Sequence, residues 1–142
     1  MSSILRSIAT GVACAALVAF AAPASADMVN FKADLSPQNE VPPNDSKASG
    51  SVTATYDSAS KKLTWKGSYT GLSGPATAAH LHSGEKGKNG SVSVPIAPAT
   101  SPLDGSATLT DAQAADLAAG KLYVNIHTAE HKAGEIRGQL TK

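Results

Sequence analysis

The chain has 142 residues, enough for one domain, with 12 basic and 11 acidic side chains and aromatics at only 4%. Once an N-terminal segment carrying Arg6 is set aside, the two signs balance, which excludes the strongly basic surface that binds nucleic acid or anionic membrane. Val, Leu, Ile and Ala must therefore build most of any core.

That N-terminal segment reads as a leader. Arg6 precedes an uncharged apolar run, Ile8 to Ala22, and Ala24-Ser25-Ala26 supplies the small-x-small pattern of signal cleavage, which makes 1–26 a removable signal peptide and Asp27 the first mature residue. The run is short for a membrane span, which needs roughly 20 apolar residues, and Pro23 breaks it. The lone Cys14 departs with the leader, so the mature domain, 27–142, has no disulfide, no thiolate chemistry and no Cys-type zinc site. No later apolar run is long enough to span a membrane, so none remains after cleavage.

The rest is a series of short alternating segments separated by Gly, Pro, Asn and Asp, the pattern of a sandwich or barrel. Val29 to Leu35 predicts a first strand with Val29, Phe31, Ala33 and Leu35 on one face. Pro37 to Ser46 is a loop, because Pro42-Pro43 cannot donate ladder hydrogen bonds. Gly50 to Tyr56 and Leu63 to Tyr69 form a hairpin around a polar turn. Ala76 to His82 and Ser91 to Ile96 flank a glycine-rich connection, Ser83 to Gly90, whose spacing is that of a wide turn and not of a phosphate cradle. Gly105 to Leu109 follows. Thr110 and Gln113 then form a capping box for one short alanine-rich helix, Ala112 to Ala119, which Gly120 stops in the left-handed region. Leu122, Val124 and Ile126 alternate with Tyr123, Asn125 and His127, and Gly134 to Leu140 returns as the last strand. The expected fold is all-β: a Greek-key β-sandwich or flattened barrel of about eight strands with one short helix.

The four histidines come in two pairs. His80 and His82 share one strand face because alternate residues point the same way, with Leu81 directed inward. His127 ends the Tyr123–Ile126 strand, and His131 lies in the following turn. If those strands approach, four neutral imidazoles converge on an ion, a donor set that suits copper or zinc and not calcium or magnesium. The competing reading is plain: solvated histidines at a strand end and a turn, on a non-catalytic binding module with no metal. Glu130 and Glu135 flank the second pair, where carboxylates orient a ligand's second nitrogen or solvate a turn. Lys86, Lys88, Lys132 and Arg137 add positive charge that a solvated surface explains equally well.

Four blocks carry a family resemblance: Phe31–Pro43 (FKADLSPQNEVPP), Thr77–Gly90 (TAAHLHSGEKGKNG), Gly120–Thr128 (GKLYVNIHT) and Gly134–Leu140 (GEIRGQL). In this order they resemble the CHRD domain, first described in chordin and found widely in exported bacterial proteins. The resemblance implies a β-sandwich or barrel and a periplasmic or secreted location, without a settled biochemical role. In chordin-like proteins the domain belongs to extracellular binding proteins, which implies a protein partner as the alternative to a metal ion. AHLHSG followed by YVNIHT also resembles the copper ligands of Cu/Zn superoxide dismutase. That likeness implies copper on His80, His82 and His127, with His131 in a fourth position, Arg137 as the catalytic anion-guiding arginine and superoxide as substrate. It departs from that family in having no histidine- and aspartate-rich zinc loop and no mature cysteine, so it implies a copper-only site.

Overall fold

Alternation of inward apolar and outward polar residues builds two antiparallel four-stranded sheets in the computed structural model, which describes residues 19–22 and 25–142. Most of the predicted leader lies outside the described residues. The fold is pinned from Asp27 onward, whose N–H donates to Ser58 Oγ at 2.9 Å. Among the described residues no helix is long and apolar enough to cross a membrane.

The strands are β1 (Met28–Leu35), β2 (Ser49–Asp57), β3 (Lys62–Thr70), β4 (Ala76–Ser83), β5 (Ser91–Pro95), β6 (Leu103–Thr108), β7 (Leu122–Thr128) and β8 (Ile136–Gln139), with helix α1 (Asp111–Ala118) between β6 and β7. The first sheet has the order β1-β2-β3-β6 and the second β5-β4-β7-β8. β6 thus returns beside β3, and β7 beside β4, after the chain has crossed between sheets, the connection expected of a Greek key. Lys32 and Thr141 exchange backbone hydrogen bonds at 2.8 and 3.0 Å, and Ser36 and Arg137 at 3.0 and 3.2 Å. These bridges stitch β1 to β8, so the sandwich is closed along one side.

Between the sheets lie Phe31, Ala33, Leu35, Val52, Ala54, Leu63 and Trp65 from one layer and Ala79, Leu81, Val94, Leu122, Val124, Ile126 and Ile136 from the other, all buried. Each fully buried large apolar side chain contributes roughly 1.5–3 kcal/mol, and in a domain without disulfides this burial is the main stabilising term. α1 begins at the predicted capping box, Thr110 with Gln113, and Gly120 holds a φ of 71° just beyond its end. Gln113 Nε2 also donates to Ser93 O at 3.0 Å, satisfying a backbone acceptor on the edge strand β5.

One expectation of the alternation does not hold. β7 is buried at all seven positions, not on one face only. Its outer face is roofed by residues from three connections: Glu40 hydrogen-bonds Asn125, Gly90 hydrogen-bonds Tyr123, and the Lys132 carbonyl hydrogen-bonds His127. The sheet therefore carries a second, polar interior between itself and these loops.

Candidate metal centre

Register places the chemistry in that polar interior. In the β4–β7 ladder His82 lies opposite Tyr123, His80 opposite Asn125 and Ala78 opposite His127. Opposed residues share a face, so His80, His82 and His127 stand together on the outer side, while Ala79 and Leu81 enter the core at 2% exposure each. The ring centroids are 5.6 Å apart for His80–His82, 5.1 Å for His80–His127 and 5.8 Å for His82–His127. One nitrogen from each ring lies within 4.8 Å of the other two, a grouping that can hold a metal ion.

Hydrogen bonds fix which nitrogens are offered. His82 Nδ1 is 3.0 Å from Gly90 O, and His127 Nδ1 is 2.9 Å from Lys132 O. A carbonyl only accepts, so each Nδ1 carries the hydrogen and each Nε2 keeps its lone pair. His82 Nε2 is buried with no hydrogen-bond partner among the described residues, a costly state for a polar atom unless a ligand completes it. His127 Nε2 lies 3.2 Å from His80 Nδ1. Nitrogens bound about 2.0–2.1 Å from one ion lie roughly 3 Å apart, so this pair is already at ligand spacing. Burial, reinforced by the neighbouring imidazoles, pushes the pKa values of His80 and His82 down. For His82 the Arg137 charge adds to this, against the opposing hydrogen bond to Gly90. Both shifts favour the neutral form of His80 and His82, the form that binds metal.

Of the four histidines expected at the site, the structure brings three together. His131 stays outside the group: it is held in the turn after β7, its N–H donating to Thr128 Oγ1 at 3.2 Å and its carbonyl accepting from Gly134 N at 3.0 Å. From there it lines a shallow surface hollow with Asn44, Asp45 and Glu130. Arg137 sits beneath the loops at 2% exposure. Its Nη2 donates to Lys88 O at 2.7 Å and Glu85 O at 3.2 Å, and its Cζ lies 3.5 Å over the Tyr123 ring. Glu135 does not orient a histidine either, since carbonyls take the Nδ1–H groups of His82 and His127; it is bound by Ser46, Ser73 and Thr128.

Sequence pattern alone misses several members of this interior. Tyr123 stacks on His82, the rings 5.0 Å apart and 9° from parallel. Asn125 donates to Ile136 O at 3.0 Å and to the buried carboxyl of Glu40. The polar positions of β7 already gave Tyr123 and Asn125 a shared face with His127. For Glu40 the chain offers only a lone acid among prolines, and nothing local announces that its loop folds onto the sheet.

Comparison with curated proteins and with solved structures gives no significant match. The family model for the CHRD domain matches residues 31–140, from Phe31 in β1 to Leu140 just beyond β8, and so spans both sheets, the loops above them and all three site histidines. The chain belongs to the CHRD domain family.

Proposed function

We propose that the protein is an exported metal-binding CHRD domain protein in which His80, His82 and His127 hold a single copper ion, with zinc the next candidate. One observation carries the reading: three imidazoles converge from two strands, two of them with Nδ1 tied to carbonyls and one with an orphaned Nε2. Donors of nitrogen alone suit copper and zinc, and the general order of divalent affinity places Cu(II) above Zn(II). The carbonyl acceptors behind His82 and His127 fix the tautomer and orientation of the rings, as outer partners of metal ligands do. The leader pattern ending at Ala26, together with the family's occurrence in extracellular proteins, supports action in the periplasm or outside the cell.

The mature chain, incubated with Cu(II) and desalted, is expected to retain about one copper per chain, as one histidine cluster requires. His80→Ala with His82→Ala should abolish retention, whereas His131→Ala should leave it at the parent level. Equal copper in the double variant would refute the site.

Three side-chain ligands leave a coordination position for a small molecule, and His80 is partly exposed. Superoxide dismutation is the catalytic reading that such an opening allows, and it rests on the histidine pattern. The copper-loaded protein should then remove superoxide well beyond an equal amount of free copper. An inert loaded protein removes the enzyme and leaves the metal-binding protein standing.

A further inference from the structure

We propose that Arg137 and Tyr123 are positioning residues that preset His82 as a metal ligand by holding the Gly90 carbonyl in place; this rests on the metal-binding reading above. The connection 84–90 (GEKGKNG) carries three glycines and, left free, would be costly to order. The Arg137 guanidinium gathers it from beneath, donating to Lys88 O at 2.7 Å, to Glu85 O at 3.2 Å and, through Nη1, to Asn89 Oδ1 at 3.3 Å. Rigid forked donors suit this task, because one planar group fixes several acceptors at once. The same guanidinium lies 3.5 Å over Tyr123, whose Oη accepts the Gly90 N–H at 3.0 Å.

Gly90 is thereby held on its N–H side by Tyr123, and its carbonyl accepts His82 Nδ1–H at 3.0 Å. The packing admits no larger residue: a Cβ at Gly90 would lie 1.7 Å from Ser83 O. Tyr123 also stacks on the His82 ring and fixes its plane. The consequence is chemical as well as mechanical. With Nδ1 committed to a carbonyl, His82 must offer Nε2, the buried atom without a partner. His127 reaches the same state through Lys132 O, from an element that Arg137 does not hold, and so provides an internal control.

The test is the tautomeric state of the histidines in the metal-free mature protein, read from long-range proton–nitrogen correlation spectra, together with Cu(II) affinity by chelator competition. In the parent, His82 and His127 should both be Nδ1–H tautomers. Arg137→Met should move His82 to an averaged tautomer mixture while His127 stays Nδ1–H, and should weaken copper binding 10–100-fold, as loss of an outer partner typically does. Tyr123→Phe keeps the stack and loses the hydroxyl, so it should shift both readouts in the same direction by less; it also carries the test should Arg137→Met fail to fold. Unchanged His82 tautomer and copper affinity in the folded variants would overturn the proposal. A parent protein that binds no copper would sink the metal reading, yet the tautomer comparison would still decide whether Arg137 and Tyr123 position His82.

Discussion

At pH 7, replacing Glu135 with glutamine is expected to lower the free energy of unfolding by about 3 kcal/mol. Glu135 is fully buried at the start of the return to β8. Its Oε1 accepts from Ser46 Oγ at 2.6 Å and Ser73 N at 2.9 Å, and its Oε2 accepts from Ser73 Oγ at 2.8 Å and Thr128 Oγ1 at 2.7 Å. Burial alone would raise the carboxyl's pKa, but these donors favour the charged form strongly enough to bring it from 4.5 down to about 2. The folded pKa is therefore depressed. Its stabilisation is fully present above the unfolded value of 4.5 and is lost as pH falls through about 2. A difference of this size corresponds to about 3 kcal/mol, in line with the loss from breaking a buried charge-assisted cluster. Glutamine keeps the volume but cannot accept four hydrogen bonds. Urea melts of parent and variant from pH 2 to 7 should converge at the acid end. Parallel stability curves over that range would show that this carboxylate does not hold the loops at residues 46 and 73 to the end of β7.

The same cluster explains what was readable in the chain and what was not. Strand positions followed from alternation because one face of every strand meets the same apolar core; Phe31, Leu63, Leu81 and Val124 all point where a period of two puts them. Two histidines at i and i+2 had to share a face. Their meeting with His127 needed β4 and β7 to be neighbours, which depends on the crossing between sheets and leaves no local trace. His131 already read as a turn residue, four positions beyond His127, and the backbone hydrogen bonds of that turn hold it away from the three rings. For Arg137 and Glu135, in the predicted last strand, the sequence left open a solvated surface or a role beside the histidines, and the structure buries both. They are buried because glycine- and proline-rich connections, which resemble solvated loops in composition, fold back as a third layer. Alternation reports which residues avoid the apolar core and is silent on whether the other face meets water or a polar roof.

Glu40 gives the opposite pH dependence, and glutamine in its place is expected to stabilise the protein by up to about 3 kcal/mol above neutral pH while changing little at about pH 4 and below. The side chain is buried at 6% exposure over Asn125. Burial raises its pKa from 4.5 to about 7, although the hydrogen bond from Asn125 and the charge of Arg137 both pull it down. With the folded value raised, the group's stabilising contribution is fully present below the unfolded pKa of 4.5 and is lost as pH rises through about 7. Glutamine preserves an acceptor for Asn125 Nδ2 and has nothing to ionise, so the variant should escape this loss. At constant salt, thermal melts of the parent should fall from pH 5 to pH 9 relative to those of Glu40→Gln, by on the order of 10 °C at the alkaline end for a domain of this size. A difference that stays flat across that interval would mean that the carboxyl is solvated and that the roof over Asn125 is open.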